Sequence, residues 1–146
     1  MASTHRLTRA AYLQSLQDFR NFIKEHCTRV PGMDEEVIYD VQLAVDEACT
    51  NIISHGYADI DPGSIILELK IDPDKLTISL TDFGHSFEPH SMPIPDFDAP
   101  IEERELEGFG LFFIQQSVDK IDYQVTEDGN KMIMTKYLSK PVGGNQ

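Results

Sequence analysis

Two stretches constrain the fold of this chain more than any other feature: "SIILELKI" (64–71) and "KLTISLTD" (75–82). Each alternates in polarity and is rich in β-branched residues. A period of two sends successive side chains to opposite faces of a sheet. Only Asp72-Pro73-Asp74 separates the runs, so they are expected to pair as an antiparallel hairpin. Their apolar face needs a cover, and the rest of the chain has to supply it.

Helical periodicity supplies that cover. From Ala10 to Cys27, Leu13, Leu16, Phe19, Phe22 and Ile23 recur at steps of three and four, an amphipathic helix. "RVPGM" breaks it. Asp34 is an N-cap for a second helix from about Glu35 to about His55, and Gly56 is expected to close it as a left-handed C-cap. "GFGLFFIQQSVDKI" opens a third helix. "IDYQVTED", the turn Asp128-Gly129 and "KMIMTKYL" predict a further hairpin. The order is helix, helix, strand, strand, long loop, helix, strand, strand. Consecutive hairpins with helices gathered on one face make an α+β two-layer sandwich. Ahead of Ala10 there is room for a short edge strand or none.

The 146 residues suit a single domain spanning 1–146. Gly84 to Glu107 follows no periodic pattern and holds Pro89, Pro93, Pro95 and Pro100. A loop of that length inside a compact domain is expected to be a lid or binding loop. "KPVGGNQ" (140–146) reads as a polar tail. A formal net charge of −13 argues against nucleic acid as the main partner, because phosphate neutralisation dominates such binding. No apolar run approaches the ~20 residues of a membrane span, and the N-terminal stretch has no signal-peptide pattern. The expectation is a cytoplasmic protein without a membrane partner. Cys27 and Cys49 lack a CxxC spacing and are expected to be small buried hydrophobes.

Three stretches carry candidate chemistry. In "LAVDEACTNIISHGY" (43–57), Glu47 and Asn51 lie four residues apart and stack on one helix face. On a wheel of about 100° per residue with Glu47 at zero, the apolar face centres near 120° and Asn51 falls near 40°. That rim position suits the wall of a pocket, and it also fits a solvated helix edge. In "LTDFGHSF" (80–87), Asp82 ends an apolar strand and Gly84 follows. An acid there accepts a hydrogen bond from an amino group, and glycine lets a flat ligand approach; a plain strand-ending turn has the same residues. In "EGFGLFFI" (107–114), Gly108 and Gly110 precede a helix whose free amides suit a phosphate, although glycines also end loops.

The order of these stretches is more specific than any one of them. It resembles the N, G1 and G2 boxes of the GHKL ATPase superfamily, with its Bergerat ATP-binding fold. Within that group, "VDEACTNIISHGY", "DFGHSFEP" and "GFGLFFIQQSVDKIDY" look most like the anti-sigma-factor serine-protein kinases. The resemblance covers about Leu7 to Leu138. It implies a mixed, mostly antiparallel sheet, a bound magnesium-ATP, and an ATP lid at about 84–107. It further implies that Asn51 holds magnesium through its oxygen, a hard ligand, and that Glu47 is the general base. Asp82 would read the adenine amino group beside Gly84; Gly108, Gly110 and the adjoining Leu111 would hold phosphates. Thr135 resembles a family hydroxyl near the adenine. Arg104 is the nearest basic candidate for a phosphate, since position 54 holds serine where many relatives have lysine. Ser86 replaces a second glycine of the G1 box. The implied partners are a sigma factor and a STAS-type anti-anti-sigma protein; homodimer formation stays open. The implied function is an ATP-dependent serine/threonine kinase in a partner-switching system, with a nucleotide-gated binder lacking kinase activity as the alternative.

Overall fold

The computed structural model describes residues 2–86 and 114–142. Its strands are β1 (Ser3–Ala10), β2 (Ser64–Ile71), β3 (Lys75–Asp82), β4 (Lys120–Thr126) and β5 (Gly129–Tyr137). They form one sheet in the order β1-β2-β3-β5-β4. Helices α1 (Ser15–Thr28) and α2 (Glu35–Asn51) precede β2. Residues 114–117 make a further helical turn before β4. All four pairings are antiparallel, so among the described residues the sheet is not mixed.

Both expected hairpins form. In β2 and β3, Leu67, Leu69, Leu76, Ile78 and Leu80 are fully buried. They meet Phe19 and Ile23 of α1, Val41 and Val45 of α2 and Met134 of β5 in one core. Cys27 and Cys49 are buried in it as free thiols. Asp34 caps α2, its carboxylate accepting the Glu36 amide at 2.8 Å. No helix among the described residues is long and apolar enough to cross a membrane.

Local expectations are corrected at four places. The N-terminal strand is a full partner of β2, paired from Ser3↔Ile71 to Ala10↔Ser64, and α1 starts only at Ser15. Without β1, the outer edge of β2 would leave its backbone groups unpaired. The α-helix ends at Asn51 and widens into a π turn, Ile52–Gly56. The hydroxyls of Thr50 and Ser54 donate back to the carbonyls of Asp46 and Thr50, each at 2.7 Å, a pattern that bends helices. Gly56 is therefore no left-handed cap; among the described residues only Gly32, Gly129 and Asp59 have positive φ. The second hairpin turns through Glu127 and Asp128, with Thr126 paired to Gly129. Gly129, at φ 137°, follows the turn. Finally, the tail starts anchored: Leu138 and Val142 donate to the carbonyls of Asp74 and Pro73, both at 2.8 Å, and Val142 is buried.

Candidate nucleotide site

The site gathers where the end of α2 meets the end of β3. Glu47 is half-buried and Asn51 is buried, 7% exposed. Asn51 thus lies deeper than a rim position, and among the described residues no hydrogen bond reaches its side-chain amide. Burial pushes the Glu47 carboxyl above its ordinary proton affinity, and the neighbouring Asp46 charge adds to the rise. Asp46 is itself raised by burial, against the opposing pull of Arg20, whose guanidinium donates to it at 2.9 Å. The second oxygen of Asp46 is buried and has no hydrogen-bond partner among the described residues.

Asp82 is 3% exposed. Its Oδ1 accepts the Gly84 amide at 3.0 Å and Asn130 Nδ2 at 3.1 Å. Burial raises its pKa, while the bonds from Asn130 and Gly84 pull it back. The Asp82 charge is felt at the Cys49 thiol of α2, which burial already pushes up. Gly84 packs directly on the π turn: a Cβ there would collide with the Gly56 carbonyl group. The need for glycine at position 84 is thus met by the chain's own backbone. Tyr57 closes the corner, accepting the Phe83 amide at 2.9 Å and donating to the Ser64 carbonyl at 2.8 Å.

A family model for the histidine kinase-like ATPase domain matches residues 10–136. The chain belongs to the histidine kinase-like ATPase family. The serine-protein kinase RsbW of Bacillus cereus strain B4264 is 34% identical over 114 residues, which cover 75% of this chain and 69% of that protein. RsbW of Halalkalibacterium halodurans is 33% identical over 114 residues, with 75% and 68% covered. Two solved structures share the fold of this histidine kinase-like ATPase. The RsbU and RsbW domains of Rv1364c from Mycobacterium tuberculosis match with a TM-score of 0.66 at 18% identity, over 95% of this chain and 33% of that one. The histidine kinase domain of the Erythrobacter litoralis EL346 blue-light activated kinase matches with a TM-score of 0.54 at 17% identity, over 87% of this chain and 61% of that one. This chain therefore spans a third of the mycobacterial protein.

Within this histidine kinase-like ATPase, Glu47 and Asn51 lie in the last turns of α2, while Asp82 and Gly84 lie where the end of β3 meets the π turn that follows α2. Thr135 does not join them. On β5, Asn130, Met132 and Met134 are buried toward the helices, and Thr135 has the opposite parity. It points to the other sheet face, paired with Thr77, and lies roughly 17 Å along the strand from Asn130. The residue that does reach Asp82 is Asn130, its direct cross-strand partner. The sequence carried a signal for it: a polar residue in phase with Met132 and Met134, just past the turn. Arg104, Gly108, Gly110, Leu111 and most of the lid lie outside the described residues.

Proposed function

We propose that the chain is an ATP-dependent serine/threonine protein kinase that acts as an anti-sigma factor in a partner-switching system. One observation carries the reading. A half-buried Glu47, of raised proton affinity, stands one helical turn from the buried amide of Asn51, which no hydrogen bond among the described residues reaches, while Asp82 holds Oδ2 outside the two hydrogen bonds it makes among the described residues. The family match and the RsbW relatives support the same reading.

The donor set fits the group it would bind. Asp82 Oδ2 is an acceptor for the exocyclic amino group of adenine, and the ladder between Asp82 and Asn130 holds it at a fixed depth. Asn51 offers a hard oxygen of the kind magnesium takes. When bound, magnesium-ATP supplies the transferable γ-phosphoryl group and the positive charge that offsets it. Glu47 receives the proton of the attacking hydroxyl. Its raised pKa suits that task, because a base works best with a pKa near the working pH. The accepting hydroxyl belongs to a serine or threonine of an anti-anti-sigma protein, and a sigma factor is the competing partner.

The test is incubation with γ-labelled ATP, magnesium and candidate STAS-type proteins, followed by mapping of the phosphorylated residue. Label on a serine or threonine of one such protein is the expected result. Tight nucleotide binding with no transfer to any candidate, together with nucleotide-dependent partner affinity, would favour a nucleotide-gated binder.

A further inference from the structure

The edge strand β1 meets α1 through two histidines. His5 lies directly across from Leu69 in the register of β1 and β2, so it faces the helical layer as that core residue does. His26 stands one helical turn after Phe22 on the same side of α1. The two imidazole rings stack, with centroids 3.9 Å apart and planes 21° from parallel. Phe22 packs against His26 edge-on at 4.6 Å. Both histidines are half-buried, and the Ser3 hydroxyl lies 3.3 Å from His5 Nε2. Further along the seam, Arg9 pairs with Asp18 at 3.0 Å and the Ser15 hydroxyl donates to the Ala10 carbonyl at 2.7 Å. Those contacts fasten the end of β1, and the stacked rings fasten its start.

We propose that His5 and His26 form a proton-sensitive latch: neutral rings hold the start of β1 on α1, and a proton on each drives strand and helix apart. The latch is independent of the nucleotide site. Histidine changes charge between about pH 5 and pH 8. Two neutral imidazoles stack without electrostatic cost. Two imidazolium rings in the same place set unit charges about 4 Å apart, a repulsion worth about five- to tenfold in an opening equilibrium even with near-aqueous screening. The surroundings do little to absorb that charge. Burial holds the His26 pKa below its ordinary value, and His5 and Arg29 add to the fall; Glu25 of α1 alone opposes it. The residues of β2 on this face are Leu69 and Ile71, both apolar and buried. Among the described residues neither ring forms an ion pair with a carboxylate. His26 thus stays neutral to lower pH in the folded chain than in the unfolded one. Stability from this group is complete above about pH 6.5 and is lost as pH falls toward the depressed folded value. The slope is opposite in sign to that of the raised carboxyls Asp46, Glu47 and Asp82. The element that loosens is β1, which is the edge of the sheet, whereas Phe19, Ile23 and Cys27 bury α1 in the core.

Amide hydrogen exchange of the full chain at about pH 7.5 and pH 5.5, corrected for the intrinsic rate at each pH, tests the latch. The protected amides at the start of β1 should lose about five- to tenfold in protection on acidification, while those of the central strand β3 keep theirs. His26→Phe keeps a flat ring in the stack and removes the titration, so protection in β1 should be the same at both pH values. His26→Lys places a fixed charge there and should leave β1 loosened at both. In His5→Gln the pH effect should shrink, and an NMR titration should show the His26 midpoint moved up toward its ordinary value, since one of the groups that lowers it is gone. Unchanged protection of β1 in the acidified wild type would overturn the proposal. So would a loss as large in His26→Phe, or one shared equally by β1 and β3, the mark of general acid destabilisation. If His26→Phe does not fold, His5→Gln decides: a pH effect as steep as in wild type, with the His26 midpoint unmoved, sinks the latch.

Discussion

Glu47 and Asp82 are both carboxylates raised by burial, yet their surroundings differ in kind. Asp82 meets two donors, Asn130 and the Gly84 amide, and each pulls its pKa back down. Glu47 meets a second acid instead, and the Asp46 charge drives it further up. Burial alone would make the two groups alike. The neighbours set them apart: donors oppose the rise at Asp82, and a second acid adds to it at Glu47. Under the proposed function, the first of these carboxyl groups serves binding and the second transfer.

The largest expected effect breaks the Glu47 side of this contrast. Glu47→Gln keeps the shape and removes the basicity, so phosphoryl transfer should fall about 10²- to 10⁴-fold while ATP affinity changes little. Single-turnover assays beside calorimetry measure both quantities. A folded variant that transfers at the wild-type rate would remove Glu47 from the chemistry. Next in size is the Asp82 side. Asp82→Asn should cost about 10- to 100-fold in ATP affinity, the size of a lost charge-assisted hydrogen bond. It should not lower the melting temperature of the free protein, since the amide oxygen still accepts from Asn130 and Gly84. A lower melting temperature would mean that Asp82 mainly holds the fold.

The pH dependence of stability sharpens the same comparison. A carboxyl whose folded pKa lies above its unfolded value binds its proton more tightly in the native state. Stability then falls as pH rises from the unfolded pKa, about 4, through the raised folded value. Asp46, Glu47 and Asp82 all shift in that direction. Thermal melts of the free protein should therefore decline across that window, and Glu47→Gln should flatten the decline. A melting curve that rises through the window would contradict the shifts. The smallest effect belongs to Thr135→Val. Its side chain lies on the far sheet face, so ATP affinity should stay within about twofold of wild type, well below the cost of one lost hydrogen bond. A larger loss would show that the far face communicates with the site.

Much of the fold was legible because it rests on local periodicity. The alternation in 64–71 and 75–82 marks a hairpin whichever partner strand comes next, and Leu16, Phe19 and Ile23 mark a helix face by their spacing. Glu47 above Asn51 follows from the pitch of a helix, and Asp82 at a strand end from the close of an apolar run. The order of these stretches was enough to point to the family. Short-range rules failed where a distant segment made the choice. Residues 3–10 have a modest apolar pattern and become a strand because the edge of β2 needs a partner. Gly56 looked like a helix cap and is instead a seat for the backbone of Gly84.

The sequence by itself determined the two hairpins, the two amphipathic helices, the Glu47–Asn51 pair and the family, since each follows from residues within a few turns of one another or from the order of motifs along the chain. Only the tertiary structure decided which residue of β5 meets Asp82. Asn130 and Thr135 are both polar residues on one strand, and register separates them. That register is set by the turn at Glu127-Asp128 and by the pairing of β5 with β3. A one-residue shift in either would turn the strand over and send Asn130 to the far face.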